Sequence, residues 1–123
     1  MSQLVPHLLL RTDAGASHTA ALLRTAGYMV SKITDDIIVE QLAGAPHVDV
    51  VVVELAALAS IAVARRIEAR FGQRVAMIII TSSADAVRRV MPSTPVLKPT
   101  EIDDDLVSLV DLTLVAKQMR LTG

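Results

Sequence analysis

Glu54 closes the run Asp49-Val50-Val51-Val52-Val53-Glu54-Leu55. A carboxylate at the end of four valines stands where a reactive or regulatory group would sit. Four consecutive β-branched residues fit a strand buried on both faces, as in the middle of a parallel sheet. The carboxyl ends of such strands form the working edge of an open α/β sheet. Other polar groups close other apolar runs. Arg11, Thr12 and Asp13 follow Leu8-Leu9-Leu10, Thr81 and Ser82 follow Ile78-Ile79-Ile80, and Lys98 and Pro99 follow Val96-Leu97. A carboxylate, hydroxyls and cations therefore converge on one edge. Their chemistry is charge pairing and hydrogen bonding around Glu54. No nucleophile–base pair is visible, and none of His7, His18 and His47 follows an apolar run, so an enzyme is not expected.

Positioning these groups requires five strands with helices between them. The expected strands are Val5–Leu10, Tyr28–Lys32, Val48–Leu55, Ala76–Ile80 and Pro95–Pro99. The first helix is capped by Ser17, carries Ala20, Leu22, Leu23 and Ala26 as its apolar stripe, and ends at Gly27. The second starts at Thr34-Asp35-Asp36, where acids favour the positive end of the helix dipole, and stops near Gly44-Ala45-Pro46. The third runs from about Ala59 to Phe71 and ends at Gly72; the fourth, Ala84–Val90, is stopped by Pro92. Thr100 is expected to cap a last helix over Glu101–Leu121, with Asp103 completing a capping box. Pro95 suits an edge strand, where a missing N–H matters least. Alternation of this kind implies right-handed crossovers and a doubly wound, five-stranded parallel sheet covered on both faces, as one domain over residues 1–123.

With these elements in place, the chain from Leu8 to about Arg120 resembles the receiver domain of two-component response regulators, a flavodoxin-like (βα)5 fold. The resemblance rests on Asp49–Leu55, on Ile78-Ile79-Ile80-Thr81-Ser82, on Val96-Leu97-Lys98-Pro99 and on Gly27-Tyr28, in that family's positions. It implies that Glu54 occupies the place of a phosphorylated Asp and that an acidic pair after strand one helps hold Mg²⁺. It also implies that a Thr81-type hydroxyl senses the phosphoryl group and that a Lys98-type ammonium pairs with it. Such residue types suit phosphoryl transfer, which loads charge onto oxygens that a hard cation and a Lys offset.

The sequence departs from that pattern. Arg11-Thr12 stands where the acidic pair belongs, or Thr12-Asp13 if the register shifts by one. Mg²⁺ is then an option only if Asp13 and Glu54 together form a site. Glu is one methylene longer than Asp. Leu55-Ala56-Ala57-Leu58 replaces the family's Met-Pro-x-x-x-Gly turn, Pro95 stands where an aromatic switch residue belongs, and the segment between Thr81 and Lys98 is short. These departures suggest a degenerate receiver that acts through protein partners, a histidine kinase or another signalling protein, without Mg²⁺-dependent phosphorylation. Arg11 is expected to replace the metal by pairing with Glu54, with Lys98 approaching from the other side; the bland alternative has Arg11 in solvent and Glu54 as a hydrated strand end.

Other readings stay open. One is a phosphorylatable receiver with unusual residues. Another is a flavodoxin-like cofactor binder using the loop Thr12–Ser17, although that loop has Ala14 where a Thr is usual and only Tyr28 and Phe71 are aromatic. A net charge of −1 gives no reason to expect nucleic acid or an anionic membrane as partner. The absence of cysteine removes disulfides and thiolate metal sites. No apolar run reaches membrane-spanning length and the N-terminus lacks a signal-peptide pattern, so a cytoplasmic protein is expected. The three histidines read as surface groups, and Asp103-Asp104-Asp105 as dipole-favouring acids at a helix start. The last helix is apolar on more than one face. Leu106, Val107, Val110, Leu112, Leu114 and Val115 are therefore expected at an interface, in a homodimer or with another partner.

Overall fold

In a computed structural model, residues 5–14, 17–34, 37–44 and 47–122 are described, with side chains left aside at 73 and 120–122. The strands are β1 (His7–Thr12), β2 (Met29–Ile33), β3 (Val50–Glu54), β4 (Ala76–Ile80) and β5 (Val96–Leu97). They form one parallel sheet in the order β2-β1-β3-β4-β5, which is the doubly wound topology expected. The valine strand is central, and Val50, Val51, Val52 and Val53 are all 0% exposed. Burial of this depth stabilises by roughly 1.5–3 kcal/mol per side chain.

Helices α1 (His18–Thr25), α2 (Ile38–Gly44), α3 (Ala57–Phe71), α4 (Ala84–Val90) and α5 (Val107–Thr122) cover the sheet. Alternation along each strand divides the core in two. Leu9, Val51, Val53, Met77 and Ile79 pack with residues of α2, α3 and α4. Leu8, Leu10, Val52, Ile78 and Ile80 pack with Ala20 and Leu23 of α1 and Val110 of α5.

Local signals operate as the sequence implies at α1. Ser17 Oγ accepts the Ala20 N–H at 3.1 Å, and Gly27 adopts φ 101, a left-handed conformation that ends the helix cheaply only with glycine. The expected helix start at Thr34-Asp35-Asp36 and stop at Gly44-Ala45-Pro46 fall partly outside the described residues. Asp35, Asp36, Ala45 and Pro46 belong there.

The lead-in to α5 differs from expectation. Thr100 does not cap it; a 3-10 turn, Pro99–Glu101, and a π turn, Ile102–Leu106, precede the helix. Glu101 carries the role given to Asp103: its Oε1 accepts the Lys98 N–H at 2.8 Å, while its own N–H donates to the Lys98 carbonyl at 2.9 Å. The Pro at the first position of this turn sets its φ, and the turn starts two residues before the expected Glu101, with Lys98 in the cap position.

Two members of the expected interface, Leu106 and Val110, are 0% exposed and belong to the core between sheet and helix. Leu114 packs partly against the same cluster. The outer stripe is instead Leu112, Val115 and Met119, exposed by 67%, 54% and 66%. Spacings of three and four place these on one face of α5. No helix is long and apolar enough to cross a membrane among the described residues.

Candidate functional site

The register of β1 on β3 pairs Thr12 with Glu54 and Arg11 with Val53. Neighbouring residues on a strand point to opposite faces, so this register decides which group meets Glu54. Thr12 shares its face. The Thr12 hydroxyl donates to Glu54 Oε1 at 3.0 Å and accepts the Ala14 N–H at 3.1 Å. On the same face, the Thr19 hydroxyl of α1 donates to Glu54 Oε2. Both threonines are about 1% exposed and Glu54 is half-buried. Each carboxylate oxygen thus receives a hydroxyl from a different element, and hydrogen bonds to an ionised group are the stronger kind.

The expected Arg11–Glu54 pair is not formed. Arg11 is 6% exposed, which also excludes a solvent-pointing guanidinium. Its NH1 donates to Asp13 Oδ1 at 2.9 Å, and the Asp13 side chain is 76% exposed. Strand alternation sends Arg11 to the α2/α3 face while Glu54 faces α1. Lys98 is exposed, and among the described residues its ammonium makes no ion pair; Pro99 is exposed at the head of the 3-10 turn. Thr81 is 2% exposed, and its hydroxyl has no hydrogen-bond partner among the described residues.

Among the described residues the donor set does not fit Mg²⁺. That ion takes carboxylate, carbonyl and water oxygens in octahedral geometry. Here Asp13 is engaged by Arg11, Glu54 by two hydroxyls, and no cluster of three His, Asp or Glu capable of holding a metal forms among the described residues.

Two histidines have partners the sequence did not reveal. His18 Nε2 lies 2.5 Å from Asp103 Oδ1, tying α1 to the π turn. His7 Nε2 lies 2.8 Å from Ser31 Oγ at the opposite end of the sheet. Asp49 is nearby, but its Oδ2 accepts the backbone N–H of His7 at 2.9 Å. Among the described residues the only hydrogen-bond partner of the ring is the Ser31 hydroxyl, not the carboxylate that orients a catalytic imidazole. These pairs join positions 85 and 24 residues apart, and nothing in local spacing signals them.

A cleft of about 680 Å³ opens at the far end of β4, lined by Arg65, Glu68, Met77, Met91, Pro95 and Thr113 among others. The segment Met91–Pro95 forms part of its wall. It lies away from Glu54, which pairs with the last residue of β4.

No family model and no curated protein sequence matches the chain. Solved structures do. The signal receiver domain of an HD domain-containing protein from Pseudomonas fluorescens Pf-5 is 18% identical, with TM-score 0.75 over 94% of this chain and 99% of that one. A response regulator receiver protein from Sinorhizobium medicae WSM419 is 19% identical, with TM-score 0.72 over 92% and 97%. The structure of the P1 domain of CheA3 in complex with CheY6 from R. sphaeroides gives 15% identity and TM-score 0.59 over 90% and 97%. Strand order, parallel pairing and these likenesses agree: the chain has the flavodoxin-like receiver fold of response regulators.

Proposed function

We propose that this chain is a degenerate receiver-like module of two-component or phosphorelay signalling, acting by protein–protein interaction without Mg²⁺-dependent aspartyl phosphorylation. In this reading Glu54 holds the phosphoacceptor position as a fixed anion. The observation that carries it is the engagement of both Glu54 oxygens by the Thr12 and Thr19 hydroxyls. A carboxylate held in this way has lost the freedom a nucleophile needs to approach a phosphoryl donor. Arg11 and Thr12 in place of metal-binding acids support the same reading. The module is a single domain with no catalytic role of its own, working in the cytoplasm.

Its partners are signalling proteins, among them a histidine kinase. One similar structure holds a receiver-fold protein against the P1 domain of CheA3, and that precedent supports a docking role. Nucleic acid and membrane are not partners in this reading. A homodimer forms through the outer stripe of α5, where Leu112, Val115 and Met119 stand exposed.

The test is incubation with acetyl phosphate or beryllofluoride, with and without Mg²⁺, read by mass spectrometry and thermal shift. The expected result is no adduct and no Mg²⁺-dependent stabilisation. An Mg²⁺-dependent adduct abolished in Glu54→Gln would replace this reading with that of a phosphorylatable receiver.

A further inference from the structure

Three consecutive residues at the start of α1 each grip a different part of the fold. Ser17 Oγ caps the helix through Ala20. Thr19 donates to Glu54 at the end of β3. His18, between them, meets Asp103 Oδ1 at 2.5 Å through its Nε2. Asp103 belongs to the π turn Ile102–Leu106, which runs directly into α5. One turn of α1 therefore touches both the Glu54 carboxylate and the lead-in to the helix that carries Leu112, Val115 and Met119.

A π turn holds one residue more than the α-helical pattern needs. Its bonds run i to i+5, and return to the i to i+4 pattern removes one residue from the turn, turning what precedes it by about 100°. In this turn Ile102 and Leu106 are buried at 6% and 0% exposure, while Asp103, Asp104 and Asp105 face solvent. The buried pair anchors the turn on the core, and of the three acids Asp103 is the one held by α1. A second connection from β3 to α5 runs through the core, where Val50 and Val52 pack with Leu106 and Val110, and through Lys117, whose Nζ donates to the Asp49 carbonyl at 3.1 Å, but that hydrogen bond lies at the opposite end of β3 from Glu54. The Thr81 hydroxyl makes no hydrogen bond among the described residues, and Pro95 supplies no side chain that could respond.

We propose that the first turn of α1 is a latch, in which Thr19 reads the Glu54 carboxylate and His18, through Asp103, holds the π turn that sets the register of α5. The latch is independent of whether Glu54 is ever phosphorylated, since it requires only the two contacts. His18 and Asp103 side chains are 64% and 68% exposed. Exposed pairs are weak, so the latch releases readily, and its removal changes an opening equilibrium by about fivefold at most.

Amide hydrogen exchange and NMR shifts on the whole chain test it. His18→Ala and Asp103→Ala each raise exchange at residues 103–107 by about two- to fivefold. The double variant does no more than either single one, because both cut the same contact. Glu54→Gln moves the amide signals of Leu112 and Val115 in the parent protein but not in the Asp103→Ala background. Thr19→Val cuts the same link without touching Glu54 and gives the same pattern. Additive effects of the two single variants would overturn the latch. So would unchanged exchange at 103–107, or a Glu54→Gln shift that reaches α5 equally without Asp103.

Discussion

Thr12 and Glu54 lie directly opposite one another on adjacent parallel strands, and the Thr12 hydroxyl donates to Glu54 Oε1 at 3.0 Å. A near-isosteric residue without the hydroxyl removes that bond together with the one the hydroxyl accepts from the Ala14 N–H. Thr12→Val is expected to lower stability by about 1.5–3 kcal/mol, the usual contribution of a hydrogen bond to a charged group. Thr19→Val, which removes the other donor, should cost a similar amount. Because both act on one carboxylate, the double variant should not equal the sum. Urea unfolding of the four proteins checks this. Losses below about 0.5 kcal/mol in both single variants would show that solvent satisfies Glu54 equally well.

The end of β4 was legible from sequence at Ile80-Thr81, where an apolar run stops abruptly, and that of β3 to within one residue at Glu54, whereas β1 runs two residues past the expected Leu10, to Thr12, and β5 stops two residues before Pro99. The cap at Ser17 and the stop at Gly27 were legible for the same local reason. Which side chains meet at the edge was not. Thr12 rather than Arg11 reaches Glu54 because of strand register, and a one-residue change of register exchanges the two faces. Thr19 and His18 find partners across 35 and 85 positions, through helix packing that periodicity does not encode. Periodicity also misled on α5, where two apolar stripes are visible in sequence but only the sheet decides which is inner.

Shortening the acceptor does not rebuild a metal site. Glu54→Asp retracts the carboxylate by one methylene and removes it from the Thr19 hydroxyl, yet Arg11 and Thr12 still supply no oxygen anion beside it. Mg²⁺ binding needs carboxylate ligands of its own. Thermal melts of Glu54→Asp with and without millimolar Mg²⁺ should therefore coincide, with the variant less stable than the parent protein in both. A rise in melting temperature on adding Mg²⁺ would show that Asp13 turns inward to complete a site.

Thr81 offers the opposite case to Thr12. Its hydroxyl is buried with no hydrogen-bond partner among the described residues, so it contributes a desolvation cost and no bond. Replacing such a group by an apolar one of the same shape is nearly neutral or stabilising. Thr81→Val is expected to raise stability by up to about 1 kcal/mol. A loss of more than about 1 kcal/mol in chemical denaturation would mean that the hydroxyl has a bound water as partner.

Leu106 and Leu112 belong to one continuous helical segment, share one chemistry and differ in burial, at 0% and 67% exposure. Leu106 fills the space between α5 and the sheet, next to Leu97 and Val110. Leu106→Ala should cost about 2–5 kcal/mol, as lost burial and a residual cavity add together. Leu112→Ala should stay within about 0.5 kcal/mol in a monomer, since a surface truncation leaves no void. The pair therefore separates the core role of this segment from its outward one. If the outer stripe joins two copies, Leu112→Asp halves the mass seen by light scattering while the intrinsic fold survives, as judged by circular dichroism. An unchanged monomeric mass in the parent protein at high concentration would leave Leu112, Val115 and Met119 for a different protein partner.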